Sequence, residues 1–261
     1  MELLNAPLDR GPVRAVLFDF DGTISTLRHG WEAVMKPLML EVLSPAGGPF
    51  EEMVDRYIDE STGIQTIAQM KWLSETVRRL GLRAEDPWHY KAEYNRRLME
   101  TVGARLRSLE SGVLNREDCL IAGSEAFLQS LHDRGVRLYV ASGTDHPDVV
   151  REVAALGLEG YFDLVAGAPT GSENCSKEAV IGRLLRDEGL TGGDFAVIGD
   201  GKVEIRLGRE ACARTVGLAT DEARRSGVDP VKRERLIKAG ADAIAGDFLD
   251  LRALLDFLGL R

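Results

Sequence analysis

Short apolar runs recur along the chain, and most of them end at a small or acidic residue. They are rich in Val, Ile and Leu without strict polar alternation, which is typical of strands buried on both faces of a parallel sheet. The runs are Val13–Phe18, Val136–Ala141, Phe162–Ala166, Phe195–Ile198 and the weaker Arg214–Ala219 and Asp242–Ala245. Helical periodicity lies between them, over Ser124–Arg134, Pro147–Leu156, Lys177–Glu188 and Val203–Ala213. Alternating strands and helices predict an α/β fold.

The pattern changes after the first run, where strand-like segments disappear and helical spacing takes over. One apolar helix face is formed by Phe50, Met53, Val54, Tyr57 and Ile58. Further helices are predicted over Ile64–Leu80, Trp88–Leu109 and Trp31–Leu43, the last kinked or interrupted by Pro37. We therefore expect an all-helical domain over residues 25–112, inserted into an α/β core formed by residues 1–24 and 113–261.

Composition narrows the classes of function. The 261 residues are 44% hydrophobic and 29% charged, which is ordinary for a globular chain. A formal net charge of −9 argues against a general nucleic-acid or membrane-surface binder, so we expect neither partner. No apolar stretch is long enough to span a bilayer, and the N-terminus lacks a secretory pattern, so a cytoplasmic location is expected. Three widely spaced cysteines, Cys119, Cys175 and Cys212, indicate reduced thiols rather than disulfides or a zinc site.

Candidate chemistry follows the strands, because ligands of open parallel sheets bind beyond the carboxyl ends of the strands. The first strand leads into Asp19 and Asp21, a later one into Ser142, and another into Asp200 with Glu204 beyond it. Lys177 begins a predicted helix between the last two segments. Several carboxylates brought together would repel one another unless a divalent cation lay among them, and oxygen ligands favour Mg²⁺.

This set of groups is suited to phosphoryl transfer. Asp19 would be the nucleophile that forms an aspartyl-phosphate, and Asp21 the general acid and base. Ser142 and neighbouring backbone amides would bind the phosphoryl oxygens, while Lys177 would offset negative charge. Asp200 would hold the metal, with Glu204 as an alternate ligand or as an anchor behind the ligands. Three further residues are expected to bind substrate: Thr23, Gly143 and Thr144.

The motifs resemble those of the haloacid dehalogenase superfamily. The segment Phe18–Thr23, then Ser142, Lys177 and the segment Gly199–Glu204, occur in the order that this family shows. The resemblance implies a Rossmann-like core and phosphomonoester hydrolysis, with Mg²⁺ held by Asp19, the backbone carbonyl of Asp21, and Asp200. An inserted helical cap after the first motif is similar to the phosphoglycolate-phosphatase-like and phosphomutase-like branch. Glu204 stands where many members carry Asp, which leaves open whether it binds the metal directly or through water.

The cap is expected to select the substrate, a small phosphorylated metabolite such as a sugar phosphate or a phosphoglycolate-like compound. Candidate contacts are Arg28, His29, Trp31, Ser61, Thr62, Gly63, Gln65, Gln69, Tyr90, Lys91, Tyr94 and Arg97. Asp21 argues against a dehalogenase proper, which does not need a second aspartate. A phosphonate-cleaving enzyme needs a cap lysine, for which Lys36 and Lys71 qualify only by position. A phosphomutase and a non-catalytic phospho-ligand-binding protein stay open as alternatives, as does the choice between a monomer and a homodimer.

Overall fold

A mostly parallel sheet forms the centre of the molecule. The computed structural model describes residues 1–5, 11–173 and 176–260, without the side chain of Ser176. The strands in this part of the chain are β1 (Glu2–Leu3), β2 (Ala15–Phe18), β3 (Arg137–Asp145), β4 (Leu164–Ala168), β5 (Phe195–Gly199), β6 (Arg214–Leu218) and β7 (Ala243–Ala245). Their order across the sheet is β1-β7-β6-β5-β2-β3-β4, and only β1 pairs antiparallel with its neighbour. The predicted α/β class is confirmed.

Helices cover the sheet and fill the insertion. Between β2 and β3 lie α1 (Glu32–Leu43), α2 (Glu51–Glu60), α3 (Thr66–Arg79), α4 (Pro87–Glu110) and α5 (Ser124–His132). The later helices are α6 (His146–Ala155), α7 (Ser176–Arg186), α8 (Lys202–Glu210), α9 (Pro230–Ala239) and α10 (Leu251–Leu258). Helices α1 to α4 correspond to the helices expected in the cap, and no strand lies among them in the described residues.

Alternate side chains of β2 enter two different cores. Val16 and Phe18 belong to a large cluster that also contains Phe127 of α5. Ala15 and Leu17 face a second cluster on the other side of the sheet, with Leu184 of α7. This explains why the strand is a continuous apolar run, since both of its faces are buried. The large cluster continues without a break into the cap helices, so the exact boundaries of the two domains stay a prediction.

Several sequence predictions need correction or extension. Pro37 does not interrupt α1, which runs through it, although proline cannot donate the backbone bond to the preceding turn. Helices α9 and α10 and the short strand β1 were not predicted, because their segments are rich in charge or too short for a clear period. Cys119 is buried and Cys212 exposed, while Cys175 lies outside the described residues.

Phe127 provides a test of this core. Its ring is fully buried, stacked on Phe248 at 5.1 Å between centroids and edge-on to Phe18 at 6.1 Å. We expect Phe127→Ala to lower the free energy of unfolding by about 3–5 kcal/mol, because the substitution leaves a cavity between sheet and helices. Urea unfolding followed by circular dichroism measures the change. Leu249→Ala, at a side chain that is 66% exposed, should change it by less than about 0.5 kcal/mol. Similar losses in both variants would contradict the packing described here.

Candidate active site

Three central strands run side by side in parallel register up to the carboxyl end of β2, and β3 continues beyond it to Asp145. Phe18 of β2 pairs with Val140 of β3 on one side and with Ile198 of β5 on the other. The residues that follow these positions therefore meet at one edge of the sheet. This register brings Asp19, Ser142 and Asp200 together although they are far apart in sequence.

Lys177 joins two of the acidic side chains. Its Nζ atom donates to Oδ2 of Asp19 at 3.0 Å and to Oε2 of Glu204 at 2.7 Å, and all three side chains are buried. The other carboxylate oxygen of Glu204 accepts a hydrogen bond from the backbone N–H of Gly201. Although burial opposes its ionisation, Lys177 and these donors lower the pKa of Glu204. Glu204 thus holds Lys177 against Asp19 with both of its oxygens engaged.

A second lysine, Lys232 of α9, neutralises the remaining acid. Its Nζ lies 2.8 Å from Oδ2 of Asp200 and also contacts Glu222, which in turn lies 3.3 Å from Nδ1 of His29. Burial raises the pKa of Asp200, an effect that Lys232 opposes and the nearby acids reinforce. Arg235 of the same helix donates to the backbone carbonyl of Asp200 at 3.4 Å. Helix α9 therefore contacts both the side chain and the backbone carbonyl of Asp200.

The acidic cluster fits a divalent cation. Asp19, Asp200 and Glu204 can each offer an oxygen, and these atoms lie within 4.8 Å of one another. Burial raises the pKa of Asp19 well above its usual range; Lys177 opposes this, while Glu204, Asp200 and Asp21 add to it. A hard cation such as Mg²⁺ binds oxygen ligands and would stabilise the ionised form of these buried carboxylates.

Asp21 is held by two hydroxyl groups. Its Oδ2 atom accepts hydrogen bonds from Ser142 Oγ at 3.2 Å and Thr144 Oγ1 at 2.8 Å. Its Oδ1 atom is buried and has no hydrogen-bond partner among the described residues, with Arg28 Nε at 3.9 Å. Asp21 therefore presents one oxygen that is fixed and one that is available for proton transfer.

Glycine allows the first motif to approach Asp200. Gly22 has a φ of 72°, which L side chains rarely adopt, and a Cβ atom there would overlap the Asp200 carboxylate. From the cap, Gly63 approaches Gly201 so closely that a Cβ atom on Gly63 would lie only 3.1 Å from the Cα of Gly201, and the Gly63 carbonyl lies 3.5 Å from Lys177 Nζ. The loop before α3 thus closes directly over the acidic cluster.

Core and cap together enclose a cavity of about 100 Å³. Its lining includes the predicted Asp19, Asp21, Ser142, Gly143, Thr144, Lys177 and Asp200, and from the cap candidates Arg28, Trp31, Thr62, Gly63, Gln69 and Tyr94. Thr23, in contrast, is fully buried beside the cavity without lining it. The remaining cap candidates do not line it either: His29, Ser61, Gln65, Tyr90, Lys91 and Arg97. Lys91 instead pairs with Asp145, and Arg97 with Glu41 and Glu93.

Sequence reasoning missed four charged residues around the site. Glu222, Lys232 and Arg235 follow β6, and Glu152 lies on α6, where it is fully buried against Arg28. The charged segment around α9 offers a single local signal, the Asp229-Pro230 pair that begins the helix, where the Asp229 side chain caps two backbone N–H groups. Nothing in that signal places Lys232 against an acid more than thirty residues away.

The fold and the site define an enzyme of the α/β class with a helical cap. A model of the haloacid dehalogenase-like hydrolases matches residues 13–211. The chain therefore belongs to this family. Among the described residues, no helix combines the length and the apolar character needed to cross a membrane.

Two curated relatives are similar in sequence. A phosphoglycolate phosphatase of Pectobacterium atrosepticum is 22% identical over 206 residues, which cover 79% of this chain and 80% of that protein. Tyrosine-protein kinase PtkA of Mycobacterium tuberculosis is 29% identical over 173 residues, or 65% of this chain. These residues correspond to 50% of PtkA, so the match spans about half of its length.

Solved structures agree on the fold. A β-phosphoglucomutase from Clostridium difficile superposes with a TM-score of 0.66 at 15% identity, over 94% of this chain and 97% of that one. A protein described as a predicted phosphoglycolate phosphatase, from Haemophilus somnus, gives 0.61 at 17% identity, over 93% and 97%. Family, relatives and site together support a phosphatase, as the motifs predict.

Glu222 gives a pH-dependent test of the site's electrostatics. Although burial opposes its ionisation, His29 and Lys232 lower the pKa of Glu222 from its ordinary 4.5 to about 2. Because the pKa is lower in the folded state, ionised Glu222 stabilises the fold above about pH 4.5, and this contribution is lost as the pH falls towards 2. We expect Glu222→Gln to lower the free energy of unfolding by about 3 kcal/mol at pH 7, and progressively less below pH 4.5.

The measurement is urea unfolding of both proteins with a chelator present, from pH 7.5 down to pH 3.5. The matched control is Glu234→Gln, an exposed glutamate of α9, which should change the free energy by less than about 0.5 kcal/mol. A difference between wild type and Glu222→Gln that does not vary with pH would contradict the electrostatic origin of the effect.

Proposed function

We propose that this protein is a Mg²⁺-dependent phosphatase that hydrolyses a small phosphomonoester through an aspartyl-phosphate on Asp19. The observation that carries the proposal is the pairing in one small cavity of two differently held aspartates. Asp19 is buried and fixed by Lys177, whereas Asp21 has one oxygen bound by hydroxyl groups and one unpartnered. A nucleophile needs the first environment and a general acid the second.

In the first step, a carboxylate oxygen of Asp19 attacks phosphorus and the bond from phosphorus to the ester oxygen breaks. Asp21 gives its proton to the departing oxygen, so the leaving group departs as an alcohol. Because Oδ2 of Asp21 already accepts two hydrogen bonds, the transferable proton belongs on Oδ1. Lys177 lies against the nucleophile and offsets charge on it and on the incoming phosphoryl group.

In the second step, water attacks the phosphorus of the aspartyl-phosphate. Asp21, now ionised, takes a proton from this water, and the bond from phosphorus to Asp19 breaks. Inorganic phosphate leaves and both aspartates return to their starting states. The cap loop at Gly63 lies close over the site and limits bulk water there during the first step.

Asp19 and Asp200 would hold the cation, together with the backbone carbonyl of Asp21 that the family resemblance implies. Glu204 would support Lys177, because one of its oxygens accepts from Lys177 Nζ and the other from the backbone N–H of Gly201. Bound there, Mg²⁺ would neutralise charge on the phosphoryl oxygens and allow the anionic substrate to approach the carboxylates.

The cavity favours a short substrate. Its volume of about 100 Å³ is small against the roughly 300–1,000 Å³ of pockets for drug-sized ligands. A phosphate bearing a leaving group of two or three carbons matches this size better than a hexose phosphate does. The phosphoglycolate phosphatase among the relatives acts, by its name, on a substrate of this size.

Asp19→Asn tests the nucleophile. The substitution preserves shape but removes the anionic oxygen, so we expect phosphate release from short alkyl phosphates to fall to background. A chelator should abolish the wild-type reaction, and added Mg²⁺ should restore it. Asp55→Asn, at an exposed aspartate paired with Lys36 in the cap, is the control and should retain full turnover. Undiminished activity of Asp19→Asn would refute the proposed intermediate, and product isomerisation without phosphate release would indicate a mutase instead.

Asp21→Asn tests the general acid and base. We expect kcat for ethyl phosphate to fall by about 10²–10⁴-fold, because an alkoxide is a poor leaving group without a proton. The first step with acetyl phosphate, whose leaving group also has two carbons, should fall much less, since acetate departs unprotonated. The second step still lacks its base, so phosphorylated Asp19 should accumulate and be detectable by mass spectrometry after rapid quenching. Equal losses with both substrates and no accumulation would argue against this role.

A further inference from the structure

Arg28 forms a charged wall of the cavity next to the proposed general acid. Its residue is only 9% exposed, yet it lines the cavity, and its Nε atom lies 3.9 Å from Oδ1 of Asp21. A general acid must touch the oxygen of the leaving group. The side of the cavity around Arg28 is therefore where the rest of the leaving group lies, and we call Arg28, Trp31, Tyr94 and Leu98 the leaving-group subsite.

The guanidinium of Arg28 is held from the core. Nε and Nη2 both donate to Glu152 of α6, with the shortest distance 2.6 Å, and Nη2 also lies 3.4 Å from Asp148. Glu152 is fully buried and has this arginine as its ion-pair partner. Nη1 makes no hydrogen bond to the described residues and is not among the buried atoms that lack a partner. Two nitrogens of the guanidinium are thus fixed, which leaves the third, Nη1, to donate to a ligand.

Acidic side chains already surround this arginine. Glu152, Asp148 and Asp21 all have oxygens within 4 Å of the one guanidinium. Burial raises the pKa of Glu152 to about 7; Arg28 opposes this, and the charges of Asp21 and Asp148 add to it. Even with Asp21 protonated as the general acid, a further carboxylate on the substrate would share this one cation with Glu152 and Asp148. A neutral oxygen can accept the same N–H without that repulsion.

Tyr94 offers a second polar group on this wall. Its side chain is 4% exposed and lines the cavity, and its hydroxyl makes no hydrogen bond to the described residues. A buried tyrosine hydroxyl normally has a partner. Trp31 and Leu98 complete the wall with apolar surface, which suits a carbon chain rather than a hydrated anion.

We infer that the leaving-group subsite takes a short, uncharged, hydroxyl-bearing group, with Arg28 and Tyr94 hydrogen-bonding its oxygen and Glu152 acting as the positioning residue for Arg28. The inference rests on the proposed phosphatase function and names the substrate class within it: the monophosphate of a small diol or polyol rather than of a hydroxy acid.

Three phosphate esters of nearly equal size test the subsite. 2-Hydroxyethyl phosphate, 2-phosphoglycolate and ethyl phosphate differ only in the far group, which is a hydroxymethyl, a carboxylate or a methyl. We expect kcat/KM to be highest for 2-hydroxyethyl phosphate, about tenfold or more above ethyl phosphate, since one charged hydrogen bond separates them. 2-Phosphoglycolate should be the poorest of the three.

Variants then assign the preference to residues. Arg28→Lys keeps the positive charge but loses the several N–H donors of the planar guanidinium. It should reduce the advantage of 2-hydroxyethyl phosphate over ethyl phosphate mainly through KM. Glu152→Gln keeps the hydrogen-bonding shape but removes one negative charge, and should improve 2-phosphoglycolate relative to the other two by about tenfold. A merely structural role for Glu152 would lower all three substrates together. Arg97→Met, at an arginine on α4 that does not line the cavity, is the control and should leave the ratios unchanged.

Binding to Asp19→Asn separates this inference from the proposed function. Calorimetry with the three esters and Mg²⁺ measures their affinities without turnover, and we expect the same ranking as for kcat/KM. If the wild type released no phosphate, the proposed phosphatase activity would be refuted, but these affinities would still test the subsite. Tightest binding of 2-phosphoglycolate, lost on Arg28→Lys, would overturn the inference and make Arg28 a carboxylate clamp. Equal affinities for all three esters would overturn it as well.

Discussion

Crowding of carboxylates at the carboxyl ends of the central strands is the constraint on which the site depends. Two like charges 4 Å apart repel by about 4 kcal/mol at a typical effective protein dielectric. Asp19, Asp200 and Glu204 lie nearly that close while buried. Lys177 and Lys232 come from different helices, and each bridges two acids. The two lysines oppose this repulsion, and a bound cation would oppose it further.

The same constraint explains why helices far apart in sequence converge on this edge. Helix α7 supplies Lys177, and α9 supplies Lys232 together with Arg235, which also reaches Asp59 of α2 in the cap at 3.2 Å. His29, beside the first motif, pairs with Glu222. The residues that neutralise the acids are therefore also the residues that contact the cap. The position of the cap over the site and the charge balance of the site are therefore physically linked.

The sequence predicted those parts of the fold and site in which position along the chain is enough. Asp19 and Asp200 directly follow buried strands, and Ser142 follows the predicted run Val136–Ala141, so strand prediction placed all three at one edge, although β3 itself continues to Asp145. Lys232 was missed because its role depends on how α9 packs, and a lysine in a charged helix has no distinguishing pattern. The cap candidates were divided by packing in the same way: Arg28 and Tyr94 line the cavity, while Lys91 and Arg97 form ion pairs outside it.

On the proposed function, substrate choice would be shared between cap and core. The insertion supplies Tyr94 and the loop at Gly63, but the orientation of Arg28 is set by Glu152, which belongs to a helix of the α/β core. A buried acid that removes net charge from a binding arginine changes what that arginine recognises, because the remaining N–H donates without attracting an anion. Relatives with the same catalytic aspartates but without this acid would present a cationic wall, so specificity can change while the chemistry at Asp19 stays the same.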